Sequence, residues 1–301
     1  MNRFRAHGPL LLLTALVLAS CVSEPKILDR FGNVDEEFLN LDPGGSLYIS
    51  VDAPALRPVL DRIPLGALNE GDAAKLLDMT SSLTAAVYPR ETGRSFLALA
   101  QGRYPASQVN FAFGLSAAWK KLPSPAGFRY WRSEESALSL YLNAHYALVS
   151  DGDPFPRTGG VLAPEQYAKL RPGAAAAGWL ENPSEPLNRL FAQEQIPLEL
   201  AAERLLFAVQ ARGEDAYTLT LRLEMPSERQ VRAVMAVLSM VRRFAGPADY
   251  SSGEGLQGLL GVIFANPPEA EGATLIIHSG EMTAEALALL FGQFALYSAL
   301  S

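Results

Sequence analysis

The chain has 301 residues, 49% of them hydrophobic, and carries 25 Lys and Arg against 32 Asp and Glu, a net charge of −7. That balance disfavours a nucleic-acid partner, and the apolar content supports a sizeable core and argues against disorder. Cys21 is the single cysteine, which excludes an intrachain disulfide, and the length admits one large domain or two smaller ones.

The N-terminus reads as a targeting segment. Arg3 and Arg5 precede an apolar run from Leu10 to Leu18 that only Thr14 interrupts. The run is shorter than the ~20 residues that span a bilayer and fits the core of a signal peptide. It closes in Leu18-Ala19-Ser20-Cys21, which resembles the lipobox of bacterial lipoproteins. The resemblance implies that residues 1–20 are removed as a signal peptide and that Cys21 carries diacylglycerol and palmitate. Residue 22 is Val rather than Asp, so the resemblance gives no inner-membrane retention signal. It therefore implies the outer membrane, on its periplasmic face, over the inner one. One lipidated residue gives an anchored chain, not a spanning one. Cleavage before Cys21 leaves 23 basic against 32 acidic residues, a net −9, with no general attraction to anionic lipid.

Residues 21–45 read as the lipidated end and a tether, with sparse apolar residues and the turn Asp42-Pro43-Gly44-Gly45. The remainder reads as an internal duplication. A shift of 122 residues lays 86–125 over 208–247 with eight identities, among them Ala86-Val87 on Ala208-Val209, Leu97 on Leu219 and Pro125 on Pro247. The same shift puts Leu138, Leu140 and Leu142 on Leu260, Val262 and Phe264. The expected fold class is α+β: two tandem β-α-ββ-α-ββ-α units with mainly antiparallel sheet, over 46–171 and 172–301.

Each unit opens with a strand, Leu47–Val51 and Ala175–Trp179, followed by a helix that Asp52 or Ser184 can cap ahead of Pro54 or Pro186. A hairpin follows: Leu83–Tyr88 with Ser95–Ala100, and Leu205–Gln210 with the alternating Tyr217–Leu223. The next helix covers Val109–Trp119 in the first unit. In the second, Ser227 and Gln230 form a capping box and Gly246-Pro247 stops the helix. Two strands close each unit, Leu138–Asn143 with Tyr146–Ser150, and Leu259–Ala265 with Thr274–His278.

Several helices carry more apolar surface than one buried stripe requires. In Val109–Trp119 only Asn110 and Ser116 are polar, and in Val231–Val241 only Arg232 and Ser239. The last helix, capped by Thr283, has no charged side chain after Glu285. Leu287, Leu290, Phe291, Phe294, Leu296 and Tyr297 are its candidate membrane or ligand contacts. A lipidated N-terminus before an α/β body with such helices resembles the treponemal outer-membrane lipoproteins that insert amphipathic helices into bilayers. That likeness rests on architecture and transfers no individual binding residue.

No constellation for catalysis stands out, so the chain is expected not to be an enzyme, with no metal and no cofactor. His145 and His278 sit at strands with no second ligand in a zinc spacing. Gly253-Glu254-Gly255-Leu256-Gln257-Gly258 matches G-x-G-x-x-G but follows a helix stop and precedes an apolar run read as a strand, the wrong context for a dinucleotide. Asp151-Gly152-Asp153 reads as a polar turn and Glu134-Glu135 as a charged loop. The expected function is a lipid-anchored envelope protein that contacts membrane lipid or holds an apolar ligand through its apolar helices. The alternative is a scaffold that binds a protein partner of the envelope.

Overall fold

The computed structural model describes residues 37–300, apart from 64–75, 91–92, 126, 136–137, 156–159, 194–198 and 246–255. Its strands are β1 (Leu47–Asp52), β2 (Thr80–Pro89), β3 (Arg94–Gly102), β4 (Trp119–Pro123), β5 (Arg129–Ser133), β6 (Ser139–Leu142), β7 (Tyr146–Ser150), β8 (Ala176–Glu181), β9 (Arg204–Ala211), β10 (Ala216–Glu224), β11 (Glu269–Glu271), β12 (Thr274–His278) and β13 (Met282–Thr283). The helices are α1 (Arg57–Leu60), α2 (Ala106–Leu115), α3 (Glu165–Leu170), α4 (Ser184–Gln193), α5 (Glu228–Ala245), α6 (Leu256–Ile263) and α7 (Ala284–Leu300).

All thirteen strands join one antiparallel sheet, in the order β11-β12-β10-β9-β8-β1-β2-β3-β7-β6-β5-β4, with β13 paired to β10. This overturns the expected fold of two tandem α+β units. The sheet runs through the supposed boundary without a break, because β1 pairs with β8 over Leu47↔Leu180 to Val51↔Ala176.

The element order departs from the expected unit as well. Trp119 opens β4 instead of closing a helix, and β4 and β5 form a hairpin where no strands were expected. Leu259–Ala265, expected as a strand matching Leu138–Asn143, lies mostly in helix α6. A short apolar run fits either element, and periodicity alone cannot separate them. Packing decides: Leu259, Val262 and Ile263 are buried at helical spacing.

Alternation along the strands places two cores on opposite faces. In β9, Leu205 and Val209 enter one cluster, and Leu206 and Ala208 the other. The larger core collects Val59 of α1, Val231, Val234 and Leu238 of α5, Leu259 and Val262 of α6, and Leu287 and Leu290 of α7. The apolar excess of Val231–Val241 is thus largely a core stripe. The smaller core lies under the N-terminal segment, with Phe38, Leu41, Tyr48, Tyr167 and Trp179.

Local chemistry explains the helix starts unevenly. Thr283 Oγ1 accepts the Ala286 N–H at 3.2 Å and caps α7. Asp52, expected as a cap, does not cap α1: its Oδ1 accepts the Ala55 N–H at 3.1 Å in the turn before the helix, whose start at Leu56 has no side-chain cap. Ser227 Oγ accepts the Gln230 N–H at 3.4 Å, but buried Gln230 Oε1 finds no partner, so only half the capping box forms. Ser184 is no cap. Its hydroxyl donates to the Ala202 carbonyl at 2.8 Å and accepts the Ala202 N–H at 2.9 Å, tying α4 to the chain before β9.

Candidate functional site

The last helix is mainly a core element over the turns whose side chains are described. Leu287 is 0% and Leu290 6% exposed, and Phe291 packs partly buried against the same cluster. Phe294, Leu296 and Tyr297 follow in α7, and their side chains lie outside the described residues. Cys21 and the lipobox also lie outside them. Among the described residues no helix is long and apolar enough to cross a membrane.

Among the described residues α2 brings two exposed large apolar side chains together, whereas Leu162, Met240 and Leu289 are exposed singly on other parts of the chain. This ten-residue helix, ASQVNFAFGL, has no charged residue, no side-chain cap and no buried residue. So short a helix is marginal in water unless tertiary contacts hold it. One face supplies them. Phe113 stacks on Trp119 at 4.4 Å between ring centroids and meets Trp131 edge-on at 5.8 Å. Asn110 Oδ1 accepts the Trp131 Nε1–H at 2.6 Å, while its Nδ2 donates to the Leu142 carbonyl at 3.4 Å. Ala106 and Val109 pack on Tyr104, Leu142 and Ala147. The opposite face projects Phe111, 68% exposed, and Leu115, 74% exposed. A Phe and a Leu this exposed, on one uncharged helix, form a patch that core packing does not explain. The sequence did carry a signal for it, since Val109–Trp119 stood out as too apolar; only the structure shows that the excess faces outward.

A second feature fixes where the N-terminal segment meets the sheet. Residues expected to belong to the tether are already docked from Glu37 onward. Phe38 and Leu41 are 2% and 0% exposed, and Phe38 meets Trp179 and Tyr167 edge-on at 4.6 and 5.3 Å. The Glu37 carboxylate accepts the Tyr167 hydroxyl at 2.8 Å and binds Arg171 through Nη2 at 2.8 Å and Nε at 3.1 Å. Burial first, and then the Glu37 charge, push the Tyr167 hydroxyl well above the ordinary tyrosine range. Burial works against the Arg171 charge, but Glu37 outweighs it and holds the guanidinium above its usual value. Beside this clamp lies a shallow pocket of about 380 Å³, bordered by Tyr48, Trp179, Val161, Leu162 and the Glu181–Arg204 ion pair. Its volume is at the low end for a ligand site and its rim is charged, which suits an acyl chain poorly.

The remaining sequence candidates resolve into structural roles. Asp151 Oδ1 accepts the Phe96 N–H and Arg90 Nη2, both at 3.3 Å, and Asp153 accepts the Ser124 hydroxyl at 2.7 Å. His278 Nδ1 lies 3.2 Å from the Thr220 hydroxyl at an exposed strand position, and His145 is exposed in a turn. Glu134 pairs with Lys120. Among the described residues no cluster of His, Cys, Asp or Glu could hold a metal ion. Residues 253–255 of the G-x-G-x-x-G match lie outside the described residues. The rest, 256–258, opens α6, which continues through the start of the strand expected from Leu259; among the described residues the element before it is helix α5, not the strand that a dinucleotide fingerprint follows.

No family model and no curated protein matches the chain. Among solved structures it is similar to TP0453, a treponemal lipoprotein, in three crystal forms. Against crystal form III the TM-score is 0.62 at 19% identity, covering 86% of this chain and 98% of that one. Against form I it is 0.59 at 18%, covering 87% and 98%. Against form IV it is 0.56 at 18%, covering 83% and 93%. At this identity the likeness is one of fold.

Proposed function

We propose that the chain is a non-enzymatic, lipid-anchored envelope lipoprotein whose body contacts the membrane through α2. The observation that carries this reading is a charge-free helix with no buried residue, presenting Phe111 and Leu115 to the outside. The lipobox at Leu18–Cys21 and the shared fold with TP0453, an envelope lipoprotein, support it. The Val at residue 22 supports the outer over the inner membrane.

Magnitudes define what such a contact can do. Full burial of a Phe or Leu side chain contributes roughly 1.5–3 kcal/mol, so two give roughly 3–6 kcal/mol. That reinforces a lipid on Cys21 without replacing it. The reading is tested with the chain from residue 21 onward carrying Cys21→Ser, floated with vesicles of neutral phosphatidylcholine. Binding is expected, weakened at least ten-fold by Phe111→Ser with Leu115→Ser. Absence of binding to vesicles of any composition overturns the membrane reading and favours a protein partner for the same patch.

A further inference from the structure

We propose that the side of the sheet carrying α2 is a docking surface for anionic lipid headgroups, an inference that rests on the membrane reading above and names its lipid class. The chain as a whole is acidic, yet between Glu91 and Glu134 it contains no Asp or Glu and six cations: Arg94, Arg103, Lys120, Lys121, Arg129 and Arg132. This stretch includes α2 and the β4–β5 hairpin at the end of the sheet.

Arg94, at the start of β3, lies near Arg189 and Glu185 of α4 and is no part of this end; the register sorts the others. Residues directly opposite in an antiparallel pair share a face. Trp119 opposes Ser133, Lys121 opposes Trp131, and Pro123 opposes Arg129. Phe113 of α2 rests on Trp119 and Trp131, so α2, Lys121 and Arg129 belong to the same side. Lys121 and Arg129 are both exposed, and Lys121 Nζ lies 5.2 Å from the centre of the Trp131 ring. Arg103, also exposed, precedes α2 by three residues. Lys120 and Arg132 take the other face. There Lys120 pairs with Glu134, and Arg132 donates to the Ser139 hydroxyl at 3.0 Å and the Asp151 carbonyl at 2.9 Å. They are structural and form no part of the surface.

The result is an apolar projection, Phe111 and Leu115, on the side of the sheet that carries Lys121 and Arg129, with Arg103 three residues ahead of the helix. A bilayer interface has the complementary layering, with anionic headgroups above acyl chains. Net charge misleads here because ionic screening acts over ~8–10 Å, and the carboxylates that reach this end are already engaged, Glu134 by Lys120 and Asp153 by the Ser124 hydroxyl. Lysines on the terminal strand β4 also discourage edge-to-edge pairing. That role explains neither Arg129 on the inner strand β5 nor two exposed apolar side chains on α2.

The test uses the chain from residue 21 onward with Cys21→Ser, and vesicles of phosphatidylcholine alone or with 30% phosphatidylglycerol. Binding should be at least ten-fold tighter to the mixed vesicles at low salt, and 0.5 M NaCl should abolish the difference. Each cation near an anionic surface contributes about a five-fold effect, so Lys121→Gln with Arg129→Gln should weaken binding to mixed vesicles about 25-fold. The same pair should leave binding to neutral vesicles unchanged. Lys121→Arg with Arg129→Lys should keep the preference, which separates charge from any loss of packing on Trp131. Equal, salt-insensitive binding to both vesicle types overturns the headgroup inference and leaves the membrane reading standing. Absence of binding to either overturns both.

Discussion

Glu37→Ala should release the N-terminal segment from the sheet. The carboxylate serves the Tyr167 hydroxyl at 2.8 Å and Arg171 through Nη2 at 2.8 Å and Nε at 3.1 Å. The side chains of Arg171 and Glu37 are 18% and 15% exposed, so the pair is largely withdrawn from water. Removing one partner of a buried pair costs about 3–5 kcal/mol, because the other charge is left without compensation. Arg171 would keep the Ala174 carbonyl at 3.0 Å and the Ser50 hydroxyl at 3.4 Å, which places the expected loss near the lower figure, at about 3 kcal/mol. Urea denaturation followed by tryptophan fluorescence measures it, since Trp179 stands beside Phe38 in the same cluster. Limited proteolysis should also cut near Phe38 in the variant and not in the parent. Combining Glu37→Gln with Arg171→Met should cost less than the sum of the two single changes, with a coupling of about 2 kcal/mol. A loss under about 1 kcal/mol for Glu37→Ala, with unchanged proteolysis, would refute the clamp.

Other expectations follow from burial and close approach. Gly178 lies where β8 meets β1, and a Cβ there would sit 2.2 Å from the Tyr48 carbonyl oxygen and 3.0 Å from the Ile49 Cα. Gly178→Ala should therefore cost roughly 3 kcal/mol or more, the upper end for overpacking, and a melting temperature equal to that of the parent would contradict the central pairing. Leu287→Ala should cost about 2–5 kcal/mol, while Leu115→Ala should stay within about 0.5 kcal/mol; urea midpoints that rank them the other way would reverse the assignment of core and surface helix. Tyr48, Tyr104, Tyr167 and Tyr217 are held above the ordinary tyrosine range, in each case first by burial, and Tyr88 is pushed up for the same leading reason. A raised folded value means stability is complete below the unfolded value of about 10 and is lost as pH climbs beyond it, since the unfolded chain then releases protons the folded chain keeps. Tyrosinate absorbance at 295 nm for these residues should rise together with unfolding above about pH 10; full titration of all tyrosines near pH 10 in a folded protein would contradict it.

The sequence by itself determined several local and periodic features. Alternation in Tyr217–Leu223 marked β10 because a half-buried strand repeats every two residues, and both central hairpins lie where expected. Thr283 was legible as a cap because capping needs only neighbours in the chain.

What tertiary structure decided was every feature that depends on residues far apart. Whether Leu259–Ala265 became strand or helix depended on what it packed against, and the β1–β8 pairing fused two expected units into one sheet. Phe38 and Glu37 left the tether because Trp179 and Arg171, more than a hundred positions away, offered them partners. Two of the most apolar helices, α2 and α7, could not be ranked by composition. The buried side chains of α7 rest on a full core, whereas α2 lies on the last strands of the sheet with little above it. Burial is a property of surroundings, so only the assembled sheet could show that Leu287 faces inward and Phe111 faces out.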